Sequence, residues 1–262
     1  MIRLKWSWLV SLLLALTLAG CGGGEAPSMQ EDAALEGAPA GPPAEPIDPE
    51  TVGAITGSVA FEGETPRRVR IRMDAVPACT ESNPEPVYSE EVIVNDNGTL
   101  QNVFVYVKAG LENRAFDVPE QLVHLDQSGC VYHPHVLGVM TGQTLHIMNS
   151  DPTNHNIHPM PAQNREWNKS QPPDTAPLRE QFPRPEVMLP VKCNVHPWMK
   201  AYIGVLRHPF FAVTGTDGAF SLEGLPPGDY TIEAWHEKYG TAEQTVTIGE
   251  KETQEIEFTF SS

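Results

Sequence analysis

Short segments in which apolar and polar side chains alternate, each closed by Gly, Pro, Asn or Asp, constrain this chain more than any other feature. AITGSVAF, QNVFVYV, QTLHIMN, AYIGVLRH, GAFSLEG, DYTIEAWHE, EQTVTIGE and QEIEFTF all read this way. A period of two puts alternate side chains on opposite faces of a strand, so each segment can bury one face and wet the other. Beyond residue 50 no stretch sustains a helical repeat with caps. The expectation is an all-β protein built of sandwiches or barrels, with roughly 210 residues available for one large or two small cores.

The N-terminus reads differently. Arg3 and Lys5 precede the apolar run WLVSLLLALTLAG, which is short for a membrane-spanning helix and suits a signal peptide. It ends in Leu18-Ala19-Gly20-Cys21, which resembles a bacterial lipobox. That resemblance implies that residues 1–21 are a signal, that Cys21 receives lipid, and that the mature protein is anchored to a membrane of the cell envelope. Gly22 stands where an aspartate is associated with inner-membrane retention, which points toward the outer membrane. Residues 22–50 are rich in Gly, Ala, Pro and Glu and poor in branched apolar side chains, the composition of a tether.

The formal charge is −17. Nucleic acid is excluded as a partner, because phosphate binding needs clustered cations. An acidic surface suits a basic protein partner, and equally serves solubility.

At the C-terminus, turn signals at Asp217-Gly218 and Pro226-Pro227-Gly228-Asp229 divide strands whose apolar residues alternate, as in Ile256, Phe258 and Phe260. The stretch TGTDGAFSLEGLPPGDYTIEAWHEKYG resembles the carboxypeptidase regulatory-like domain, a small transthyretin-like β-sandwich. The resemblance implies an accessory module over 211–262. Its usual opening strand has a likeness upstream in GSVAFEG, so strand 54–62 is a candidate contributor from the far side of an insertion.

Of the four cysteines, Cys21 is assigned to lipid, and an oxidising envelope favours a disulfide between Cys79 and Cys130. Closing that loop would stabilise the fold by roughly 3–4 kcal/mol. A rival reading takes CVYHPH, with Cys130, His133 and His135, as part of a zinc site completed by Cys79. Cys193 is left as a free thiol under the first reading.

Cys193 opens the segment CNVHPWM. Pro197 lacks an amide donor and pushes His196 out of the helical region, so the segment is a loop. There Cys193, His196 and Met199 can turn toward one point. A thiolate and imidazoles with a weak thioether suit copper, while zinc seldom takes a thioether. The missing ligand is a second histidine from another strand, and His155 and His158 both qualify. Three residues apart on a strand, they face opposite sides.

The pattern GQTLHIMN, then HNIH, then CNVHPWM leading into a Val/Ile strand, resembles the small blue copper proteins, the cupredoxins, and amicyanin among them, over roughly residues 122–207. The resemblance implies a Greek-key sandwich over 52–210, with extra N-terminal strands, holding one mononuclear copper on His155, Cys193, His196 and Met199. Residues 52–121 have no counterpart in that family and belong either to this unit or to the C-terminal sandwich. The resemblance further implies that Asn156 pins the ligand loops together, and that His196, with Pro197 and Trp198, forms a surface electron port. The function it implies is single-electron transport without catalysis, with a redox protein as partner, a c-type cytochrome or membrane electron-transfer complex being the candidate classes. No GxSxG or HExxH motif and no paired CxxxC argues for an enzyme. Two other functions fit the same residues: copper handling without redox duty, and adhesion or glycan binding through the sandwich.

Overall fold

The alternating segments pair into four sheets, and the sheets face one another two by two. The computed structural model describes residues 46–262, all within one compact unit, Gly41–Ser262. The signal, Cys21 and the tether up to residue 45 lie outside the described residues. The strands are β1 (Gly53–Glu62), β2 (Phe104–Ala109), β3 (Val123–Ser128), β4 (Val131–His133), β5 (Val136–Met140), β6 (Leu145–Asn149), β7 (His155–Pro159), β8 (Lys169–Gln171) and β9 (Leu178–Glu180). They continue with β10 (Glu186–Lys192), β11 (Lys200–Leu206), β12 (Phe211–Val213), β13 (Ala219–Leu225), β14 (Gly228–His236), β15 (Gly240–Ile248) and β16 (Thr253–Ser261). One short helix, α1 (Pro77–Ser82), lies between β1 and β2. The expected all-β class holds.

The first sandwich packs sheet β5-β11-β10-β7-β8 on sheet β4-β3-β6-β9. Leu125, Ile147, Ile157, Leu189 and Ile203 fill it, and the same core runs on to Cys193 and Met199. The second packs sheet β13-β1-β16 on sheet β12-β2-β14-β15, around Ile55, Val59, Val105, Ile232, Phe220 and Phe258.

This partition corrects the expected boundary. A unit over 52–210 does not have one core: β1 pairs parallel with β16 and antiparallel with β13, while β2 pairs with β14 and β12. The second sandwich is therefore not confined to 211–262: β1 joins it, as the upstream GSVAFEG likeness implied, and β2 joins it as well. It opens with β1 and β2, admits the first sandwich between β2 and β12, and closes with β12–β16. Local patterning announces each strand but not its partner, and β1 meets β16 across nearly the whole chain, a pairing that only the shared core fixes.

The two sandwiches join through a pair of glycines. Gly138 on β5 lies opposite Gly204 on β11. A Cβ at Gly138 would run into the Phe211 ring and one at Gly204 into the Phe104 ring, so the missing side chains admit β2 and β12 against the outer face of the first sandwich. Phe104 and Phe211 stack with centroids 5.6 Å apart.

Between β1 and β2 the chain forms a cap over one end of the first sandwich. Cys79 on α1 is bonded to Cys130, in the turn between β3 and β4, with S–S 2.02 Å. Asn83 Nδ2 donates to the Cys79 and Gly129 carbonyls, both at 2.8 Å, and braces the same junction.

Candidate metal centre

Two segments leave the first sandwich at the end covered by the cap, and their backbones set the donors. His155 opens β7, paired with Gln171 of β8, and its side chain is fully buried. Cys193 follows β10, and the loop after it closes on itself: Cys193 N donates to Met199 O at 3.2 Å, and Met199 N to His196 O at 2.9 Å. The β10–β11 pairing starts beside it at Lys192 and Lys200, so the loop is anchored at both ends.

The donor atoms converge. His155 Nδ1 is 2.8 Å from His196 Nδ1, and Cys193 Sγ is 3.9 Å from His196 Nδ1. Cys193 and His196 are 2% and 1% exposed. Met199 is buried in the same core, with its backbone tied to both. An ion bonded at roughly 2.0–2.3 Å to each donor needs separations of roughly 3–4 Å between them, so His155, Cys193 and His196 fit one ion after small shifts. Two further groupings of potential ligands include Cys79 or Cys130. Those sulfurs are joined to each other, which leaves Cys193 as the free thiol among the described residues and removes the zinc reading of CVYHPH.

Hydrogen bonds around the donors fix their positions and shift their protonation. Asn156 Oδ1 accepts from Asn194 N at 2.7 Å, Val195 N at 3.3 Å and the Cys193 thiol at 3.4 Å, tying the β7 segment to the cysteine loop. Its Nδ2 donates to Asn168 Oδ1 at 2.7 Å. Burial pushes the Cys193 thiol up, but hydrogen bonding from His155 and the surrounding backbone outweighs it and holds the thiol below its usual value. Burial pushes His155 down, yet its bonds to Asp151 and Cys193 win and raise it, so an ion entering here displaces a proton from the ring. Burial and the neighbouring His155 lower His196, which favours a neutral imidazole.

Asp151 is the residue that sequence reasoning missed. Nearly buried, it takes Gly129 N and Cys130 N at 2.7 Å each and His155 Nε2 at 2.8 Å. A carboxylate on the far nitrogen fixes which His155 nitrogen faces the donors. The one sequence signal was an acid four residues before His155 in a polar loop, and a loop has no periodicity to give that spacing direction.

The other histidines are placed elsewhere. His158 turns away, with Nδ1 3.0 Å from Asn194 Oδ1 and Nε2 2.6 Å from Glu166, as the strand period requires. His135 bonds Glu237 at 2.6 Å, and His133 lines an external cleft.

The expected surface port on His196 is corrected. The cap covers that ring: Nε2 is 3.7 Å from Cys79 Sγ, and the Trp198 ring stands 5.2 Å away while its Nε1 donates to Cys130 O at 2.9 Å. Pro197 is exposed and Trp198 half-buried, so the neighbours of His196 reach solvent and His196 does not. The cause is the segment between β1 and β2, which the resemblance leaves without a counterpart.

Residues 201–261 match the family model of the carboxypeptidase regulatory-like domain. No curated protein matches the chain. Among solved structures, a copper-containing nitrite reductase from Thermus scotoductus SA-01 is 21% identical, with TM-score 0.30, over 39% of this chain and 25% of that one. The matched part thus spans about a quarter of the reductase. A purple cupredoxin from Nitrosopumilus maritimus is 18% identical over 32% of this chain and 98% of its own, with TM-score 0.27. A Cu(I) form of an amicyanin variant is 18% identical over 38% and 97%, also with TM-score 0.27. The chain is thus an all-β protein with a carboxypeptidase regulatory-like region, a low-identity likeness to cupredoxins and a buried His/Cys cluster able to hold a metal.

Proposed function

We propose that this protein is a lipid-anchored type 1 copper protein of the cell envelope that passes single electrons between redox partners and catalyses no reaction of its own. The observation that carries the reading is the meeting of the free thiol of Cys193 with the Nδ1 atoms of His155 and His196 in a buried cluster. Copper held by these residues, with Met199, supplies a one-electron couple. The chain's own part is rigidity. Asn156 fixes the loop carrying Cys193, and Asp151 fixes the His155 ring, so the donors need little rearrangement when charge changes.

The cap moves the exchange surface. Electrons reach the outside through Trp198, beside the His196 ring, into a cleft of about 380 Å³ whose lining mixes Arg70, Arg72 and Lys200 with Glu90, Glu91 and Glu237. Arg67, Arg68, Arg70 and Arg72 are exposed and form no ion pair with another described residue. In a chain of net charge −17 this run of arginines beside the cleft suits a partner that presents carboxylates to it. Anchoring through Cys21 would keep that face near membrane-bound partners.

One observation favours a second reading, copper held without redox duty: the roof over His196 removes the direct edge. Voltammetry of the copper-loaded protein separates the two. A reversible one-electron wave supports the carrier, and its absence from a copper-loaded protein assigns the site to copper handling.

A further inference from the structure

The outer face of the first sandwich carries a second pair of imidazoles, away from the buried centre. β3 and β6 run parallel, and their register sets His124 beside His146. Leu125 and Ile147 point into the core, so the alternation turns both histidines outward. Their rings meet at 89°, with the two Nδ1 atoms 3.2 Å apart. Two nitrogens at that 3.2 Å separation, each roughly 2.0 Å from a shared ion, subtend roughly 105°, close to tetrahedral. One step further along the same face Asp126 lies opposite Met148, and Ser150 Oγ donates to the Asp126 carboxylate at 2.8 and 2.9 Å.

We propose that His124 and His146 form a solvent-facing site for a divalent transition-metal ion, copper(II) first among them, separate from the buried centre. Imidazole pairs suit copper, nickel and zinc, and copper(II) binds such ligands most tightly of the divalent series. Burial, with His124 and Arg179 beside it, holds His146 below its usual value, so its ring stays neutral and able to ligate at neutral pH. Arg179 lies opposite His146 on β9 and opposes a cation there. A hydrogen bond between two neutral rings is the alternative account of the same distance.

The test is a Cu(II) titration of the full chain by calorimetry, with electron paramagnetic resonance on the same samples. The parent should bind one equivalent of non-blue copper coupled to imidazole nitrogen. His124→Ala or His146→Ala should weaken that equivalent about tenfold or more, because a chelate becomes a single ligand. His124→Gln and His146→Gln should do the same while keeping the bulk and polarity of the face, and Arg179→Ala should tighten binding. Equal affinity and stoichiometry in the parent and all four histidine variants would overturn the proposal. Visible absorption reads the buried centre independently in each sample, so failure there leaves this result intact.

Discussion

His196 Nε2 lies 3.7 Å from Cys79 Sγ, so a disulfide roofs the imidazole that sits against Cys193. The cap carrying Cys79 therefore controls both stability and access. Replacing Cys79 and Cys130 with Ser releases a link across a sequence separation of 51 residues. It should lower stability by about 3–4 kcal/mol, read as a shift in the urea midpoint. It should also speed hydrogen exchange around His196 relative to the core of the second sandwich.

Asn156 bridges the ligand segments through three contacts to Oδ1. Asn156→Ala leaves the Asn194 and Val195 amides without that acceptor, at a cost of about 1–3 kcal/mol. The cysteine loop should loosen, and metal should leave about 10–100 times more readily. Competition with a chelator measures this directly.

Asp151→Asn keeps the shape of the side chain and removes its charge. The new amide NH₂ would then face either the Gly129 amide, or both the Cys130 amide and His155 Nε2, which share one carboxylate oxygen. Metal affinity should fall about 10–100-fold. The donors themselves are intact in this variant, so the loss reads how Asp151 positions His155 together with the Gly129–Cys130 turn.

A pH dependence follows from His236, which lies in the second sandwich far along the chain from the donors. It is 1% exposed, stacked on Tyr239 at 4.8 Å, and its Nδ1 accepts the Lys238 amide at 3.2 Å. Burial, against an upward pull from Glu237, pushes its pKa down to about 4. The unfolded ring titrates near about 6.5, so between these values the unfolded chain binds more protons and acid favours unfolding. This contribution is fully present above about pH 6.5 and is lost as pH falls toward 4, by up to about 1.4 kcal/mol per pH unit. Urea midpoints at pH 7, 6 and 5 should fall more steeply for the parent than for His236→Phe.

The legibility of the site in the sequence follows how the residues are connected. Cys193, His196 and Met199 share one short loop, and Pro197 excluded a helix there, so spacing alone grouped them. His155 and His158 could be set on opposite faces because a strand has a fixed period, and the sides they take agree with it. Asp151 and the cap were not legible, because both come from segments without periodicity and act through folded contacts. Likewise the GSVAFEG likeness assigned β1 to the C-terminal sandwich, but nothing local in Ile55 or Val59 names β16 as its neighbour. The paired Gly138 and Gly204 show their purpose only once Phe104 and Phe211 are set against them.

The central claim is that Cys193 is a copper ligand beside His155 and His196. It is tested most directly by adding Cu(II) to the protein and recording its visible spectrum alongside Cys193→Ser. The account predicts an intense thiolate-to-copper band in the parent that is absent from the variant. A parent that takes up copper without that band, or a band that survives in Cys193→Ser, would contradict it.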